Sequence, residues 1–245
     1  MLVRSSRPVR CVLASFMLAS IPASPALAWE AEGWASTIEL GGSATTGNTE
    51  STTLTGRFRG EHTTPAWRNR LRLDASFHEE DDATTGQRYI GAYQADRKLG
   101  EHDYLFGALR YERDRFSNYS YQTSATAGYG RRLIDAERVQ LDGEVGAGVR
   151  QARIRSSGDT DREPVGRLAG HLRWDISETA RLTDELLVLA GSDNTEIENI
   201  LAVSADISSR MALRTSLTMK HNTDVDPGIE NTDTITELSL VYRLR

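Results

Sequence analysis

Twelve stretches of this chain alternate polar and apolar side chains with a period of two, and each is long enough to cross a bilayer as a tilted strand. They cover Trp34–Thr45, Ser51–His62, Asn69–Glu79, Arg88–Leu99, Asp103–Asp114 and Tyr121–Leu133, then Val139–Ala152, Val165–Ile176, Arg181–Gly191, Glu196–Ile207, Met211–Asn222 and Asp233–Leu244. The third is the cleanest. Leu71, Leu73, Ala75 and Phe77 share one face, and Arg70, Arg72, Asp74, Ser76 and His78 the other. The first two are thin, with Ile38, Leu40, Leu54 and Phe58 supplying most of the apolar face. The fifth and ninth are ambiguous in phase, because runs such as Leu186-Leu187-Val188-Leu189 are apolar on both faces. A helix is a poor alternative where glycine recurs, as in Ala125-Thr126-Ala127-Gly128-Tyr129-Gly130. The pattern predicts an all-β chain, a closed antiparallel transmembrane β-barrel of about 12 strands, with 10 or 14 as the neighbouring even counts.

The connections support that reading. One set, Thr46–Glu50, Glu80–Gln87, Arg115–Ser120, Arg153–Pro164, Ser192–Thr195 and Thr223–Thr232, is on average longer and mainly acidic. The other, Thr63–Arg68, Gly100–His102, Ile134–Arg138, Ser177–Ala180 and Ser208–Arg210, is shorter. An outer-membrane barrel carries long loops outside and short turns in the periplasm, with both chain ends on the periplasmic side.

Residues 1–28 read as an export signal rather than as part of the fold. Arg4, Arg7 and Arg10 make a positive start, Cys11 to Ile21 is apolar but too short to span a bilayer, and Ala26-Leu27-Ala28 fits a cleavage site. The barrel domain is therefore expected over 29–245, with cleavage between Ala28 and Trp29. Cleavage removes the only cysteine, so the mature chain has neither a disulfide nor a thiolate metal site. Of the 29 basic side chains, three arginines lie in the leader; the 26 that remain face 35 acids, a net of −9 that argues against a nucleic-acid partner. A mean hydropathy of −0.47 fits a barrel as well as a water-soluble protein, because only alternate strand residues meet lipid.

Three stretches carry a family resemblance. They are Thr46-Gly47-Asn48-Thr49-Glu50 after Ile38-Glu39-Leu40-Gly41-Gly42, Tyr111-Glu112-Arg113-Asp114-Arg115-Phe116 continuing to Gly128-Tyr129-Gly130-Arg131-Arg132-Leu133-Ile134, and Thr232-Asp233-Thr234 leading to Leu238-Ser239-Leu240-Val241-Tyr242-Arg243-Leu244. The chain resembles the YdiY-type, salt-induced outer-membrane proteins, a family built on a domain of unknown function. The resemblance implies a barrel in the outer membrane of a Gram-negative bacterium, associated with salt or osmotic stress. It implies no catalytic residues. Leu238, Leu240, Tyr242 and Leu244 resemble the C-terminal signal read by the barrel-assembly machinery, although such barrels usually end on an aromatic residue and this chain ends on Leu244 and Arg245.

The candidate functional residues are charged side chains on the inward face. Arg70, Arg72, Arg110, Arg150 and Arg173 stand against Asp74, Glu112, Asp142 and Glu144, joined by Arg57, Arg59, Arg167, Glu39, Glu61 and Glu237. Such a lumen could be a water-filled ion-selective pore, a self-satisfied salt-bridged filling, or a ligand site. The chain carries no G-x-S-x-G and no H-E-x-x-H, and Ser216, Thr218, His221 and Asn222 do not share one face, so an enzyme is not expected. No cofactor or metal is expected. The acidic runs Glu80-Asp81-Asp82 and Asp224, Asp226 and Glu230 read as solvated loops that share divalent cations with lipopolysaccharide phosphates. The remaining expected partner is membrane lipid, met by an apolar band with aromatic girdles that include Trp34, Trp67, Tyr89, Phe116, Tyr119, Tyr121, Trp174 and Tyr242.

Overall fold

The computed structural model describes residues 32–45, 51–80, 83–115, 117, 119–155, 157–225 and 230–244, without the side chains of 43–45 and 51. The expected leader with its Ala28–Trp29 junction lies outside these residues, as do Thr46–Glu50, Asp81, Asp82, Phe116 and Asp226.

All twelve expected segments are strands: β1 (Gly33–Thr45), β2 (Ser51–Thr63), β3 (Trp67–Glu80), β4 (Ala83–Lys98), β5 (Asp103–Asp114), β6 (Tyr119–Asp135), β7 (Val139–Ile154), β8 (Thr160–Asp175), β9 (Ala180–Ala190), β10 (Thr195–Asp206), β11 (Met211–Asn222) and β12 (Thr232–Leu244). Each pairs antiparallel with its neighbours in sequence, and β1 pairs with β12 to close the barrel. Closure runs from Ser36 opposite Leu244 to Gly42 opposite Leu238, so both chain ends lie at one end of the barrel. Leu238, Leu240, Tyr242 and Leu244 face outward along this seam, with Leu240 opposite Leu40 and Tyr242 opposite Ile38.

The loop asymmetry is weaker than the sequence suggests. β3 runs to Glu80 and β4 starts at Ala83, while β7 runs to Ile154 and β8 starts at Thr160. The polar ends of these hairpins go on pairing because a strand ladder satisfies backbone groups that a loop would leave to water. A register shift between His78 and Glu79 absorbs the extra residue in the β3–β4 hairpin. At the far end only the connection over 223–231 stays long.

The outer wall is apolar. Leu40 is 64 % exposed, Val145 59 % and Val149 60 %, far more apolar surface than a barrel in water would leave uncovered. Aromatic side chains mark both ends of this wall. Trp34, Trp67, Trp174 and Tyr242 ring the end with the termini. Near the far end, Phe77 packs edge-on against Tyr89 and Tyr111 stacks on Tyr121. Tyr119, expected in the girdle, instead lines the far-end mouth of the lumen.

The two ambiguous strands owe their phase to what fills the inside. In β9, Arg181, Thr183, Glu185, Leu187 and Leu189 share the inward parity, with Leu189 only 2 % exposed. In β5, Tyr104 and Phe106 point inward, and glycines across β6 and β7 make room for them. A Cβ on Gly130 would enter the Tyr104 ring, and one on Gly128 or Gly146 would press on Phe106 as well as on facing backbone. These wedges fill one side of the lumen where no charge is needed.

Candidate functional site

Inward-facing charges do not coat the wall separately. They reach across the lumen and hold one another. Glu198 of β10, 3 % exposed, accepts hydrogen bonds from Arg72 of β3 at 3.1 Å, Arg88 of β4 at 2.9 Å and Arg110 of β5 at 2.9 Å. Those arginines come from the opposite side of a twelve-strand ring. Glu112 of β5 shares Arg88 and Arg110, at 2.9 Å each, and draws Lys220 from β11 across the lumen.

A second knot lies nearer the chain ends. Glu144 of β7 accepts from Arg70 of β3 at 3.0 Å, Arg167 of β8 at 2.8 Å, the Gln94 amide at 2.8 Å and the Tyr104 hydroxyl at 3.1 Å. Asp96 takes Arg68 at 2.8 Å and Arg70 at 3.0 Å, and Arg68 reaches Asp142 at 3.2 Å. Between the knots, Arg59 of β2 crosses to Glu185 of β9 at 2.8 Å. At the closing seam, Arg57 joins Glu39 of β1 to Glu237 of β12, and the Ser239 hydroxyl donates to Glu39 at 2.6 Å.

Of the sequence candidates, Arg70, Arg72, Asp74, Arg110, Glu112, Asp142 and Glu144 converge in this network. Arg150 is placed apart from it. Arg150 lies at the far end, where it donates to Glu163 at 2.9 Å and to the Asn194 carbonyl, while Glu163 accepts from Ser192 and the Asp193 amide, so the pair ties down the connection over 191–194. Arg173 sits at the opposite rim, bonded to Asp175 at 2.9 Å. Sequence reasoning passed over Glu198, Glu185, Asp96, Arg88 and Lys220. Strict alternation from Ile197 and Leu201 would have turned Glu198 inward. Glu185 was hidden by the leucines around it.

The cross-bridges divide the lumen into stacked cavities of about 350 Å³ near the chain ends, 300 Å³ in the middle and 620 Å³ at the far end. Arg70, His171 and Glu185 border both of the first two, and Arg72 and Ile200 both of the last two. Among the described residues, Glu112, Glu196 and Glu198 bring carboxylate oxygens within 4.8 Å of one another. That spacing would suit a cation, but Arg88, Arg110 and Lys220 already neutralise the cluster. His78 and His221 each meet one threonine hydroxyl at 2.8 Å, Thr53 inside and Thr232 outside, and no described hydrogen bond to a carboxylate orients either ring. A nucleophile–base–acid relay needs that third group.

The protein-family comparison matches residues 38–244 to the protein of unknown function DUF481. Uncharacterized protein YdiY of Escherichia coli (strain K12) is 26% identical over 213 residues, covering 84% of this chain and 82% of YdiY. Among solved structures, the NanC porin superposes with a TM-score of 0.53 at 11% identity, covering 86% of this chain and all of that one. An outer membrane channel from Pseudomonas putida F1 gives 0.51 at 12% identity, over 88% of this chain and 96% of its own. At such identities these two likenesses speak for a shared barrel architecture alone. The match along nearly all of the strand-forming sequence, together with the YdiY relationship, makes this closed twelve-strand β-barrel a member of the DUF481 family.

Proposed function

We propose that this protein is an outer-membrane barrel whose lumen is barred to free diffusion, a closed structural or surface-interaction barrel rather than a general porin or an enzyme. The observation that carries the reading is Glu198 gathering Arg72, Arg88 and Arg110 from the opposite wall. Charges held this way fill the space a solute would need, and the three guanidiniums on Glu198 each pair with a carboxylate. The apolar outer wall with aromatics at both ends supports residence in a bilayer, and the export signal expected over residues 1–28 would direct the chain to the outer membrane, with its ends in the periplasm. A narrow ion pathway is the second reading, favoured by the stacked cavities.

Conductance separates the two. Purified protein in planar bilayers is expected to stay silent from low to molar salt. Surface pairs weaken with salt, but buried pairs are screened far less, so the bars should hold. Regular single-channel steps across that range would overturn the closed lumen. Persistence of the network in high salt also suits the stress association that the family resemblance implies.

The acidic far-end loops are proposed to share divalent cations with lipopolysaccharide, and the C-terminal Leu238, Leu240, Tyr242 and Leu244 to be read by the assembly machinery. Changing Asp81, Asp82, Asp224 and Asp226 to asparagine should make cells that carry the barrel more tolerant of a chelator, because fewer cations are then needed to offset acid–phosphate repulsion. Unchanged chelator sensitivity would sink the lipopolysaccharide link.

A further inference from the structure

We infer that the middle cavity of the lumen is a binding chamber for a small organic carboxylate. Its wall holds five arginines, Arg59, Arg70, Arg72, Arg110 and Arg167, against three carboxylates, Glu61, Glu185 and Glu198. Two of those acids are paired with arginine. Glu198 serves three arginines, Glu185 takes Arg59, and Glu61 accepts from the Thr63 hydroxyl at 3.2 Å. Donors remain over. Arg59 Nε and Nη2, Arg70 Nε and Arg167 Nε are buried with no hydrogen-bond partner, and so is His171 Nε2, which donates in one of the two ring tautomers.

A buried donor without an acceptor is costly, and more so when it is charged. Several around one cavity of about 300 Å³ are a standing demand for an acceptor. A carboxylate answers it best, since its two oxygens fit the fork of a guanidinium. The same wall includes Ala92, Ala108, Leu187 and Ile200, an apolar side suited to a short hydrocarbon stem and unsuited to a fully hydrated inorganic anion. The acidic cluster at Glu112, Glu196 and Glu198 leaves one buried oxygen, Glu196 Oε1, without a hydrogen bond, but that is an acceptor, and Arg110 and Lys220 already lie 3.7 and 3.9 Å from it. Occupancy goes beyond the closed-lumen reading and does not depend on it, since a chamber can fill from one side without conducting.

The test is calorimetric titration of the refolded full barrel, in a zwitterionic detergent free of carboxylates, with sodium butyrate, inorganic phosphate and sodium chloride at matched ionic strength. Butyrate is expected to bind saturably, and phosphate and chloride at least ten-fold more weakly. His171→Leu removes an unpartnered ring nitrogen without breaking an ion pair. Arg59→Gln with Glu185→Gln removes a donor set while leaving no charge unpaired. Each is expected to weaken butyrate at least ten-fold. If the double variant does not refold, His171→Leu decides. No saturable butyrate binding by the native protein, phosphate binding as tightly as butyrate, or unchanged binding in folded variants would each overturn the assignment. Bilayer silence is read separately, so failure of one idea is not failure of the other.

Discussion

Glu198→Ala is expected to be the most damaging single change in the lumen. Three arginines converge on that carboxylate, which is 3 % exposed, so its loss leaves positive charge facing positive charge in a confined space. Arg72 keeps Asp74, and Arg88 and Arg110 keep Glu112, which limits the harm but does not remove it. Breaking one partner out of a buried pair costs about 3–5 kcal/mol. The loss should appear as a lower temperature for the band shift that folded barrels show on detergent gels. A second readout is conductance. With the bar across β3, β4, β5 and β10 cut, the middle and far-end cavities should join, and channel steps should appear where the native protein is silent. Glu198→Gln keeps the shape and one acceptor oxygen, and should fall between the two. Pairing Glu198→Ala with Arg72→Leu should recover part of the stability, because contacting residues are coupled rather than additive. A Glu198→Ala barrel that melts and conducts like the native protein would remove the network from any role in closure.

The strands were legible because lipid and lumen impose opposite chemistry on alternate residues. β3 shows this in one line, Leu71, Leu73, Ala75 and Phe77 outside and Arg70, Arg72 and Asp74 inside. Where the lumen itself is apolar, the contrast vanishes. Leu187 and Leu189 face inward just as Leu186 and Val188 face outward, and Tyr104 and Phe106 fill the space above Gly128, Gly130 and Gly146. No local pattern tells a leucine toward lipid from one toward a filled interior. The sign of the inner charges was readable, but not who holds whom. Arg70 meets Glu144 four strands away, and Arg110 meets Glu198 five strands away. Those meetings follow from barrel circumference and strand tilt, which a linear pattern does not carry. Arg150 shows the same limit from the other side. Its alternation gives it the inward parity, yet its depth near the far rim gives it to Glu163 and the Asn194 carbonyl instead of the central knots.

Val145→Arg should have the largest effect on the outside of the barrel, and it tests residence in lipid directly. Val145 lies mid-strand in β7, opposite Tyr129 and Leu168, and is 59 % exposed. In water an arginine there would be close to neutral, since surface substitutions away from special features stay within about 0.5 kcal/mol. In the hydrocarbon of a bilayer the same side chain costs about 2–4 kcal/mol near the midplane. Arg153 lies on the same face of the same strand, and its outward guanidinium is tolerated because β7 ends one residue later. Position along the strand, more than residue type, should therefore set the cost. The measurement is the folded fraction on refolding into lipid vesicles, and the urea midpoint of what does fold. A large loss for Val145→Arg beside a small one for Gln151→Arg, which shares that face near the far end, fits a membrane-spanning wall. Equal and negligible losses at both positions would place the apolar wall against water or another protein, and would take the outer-membrane reading down with it.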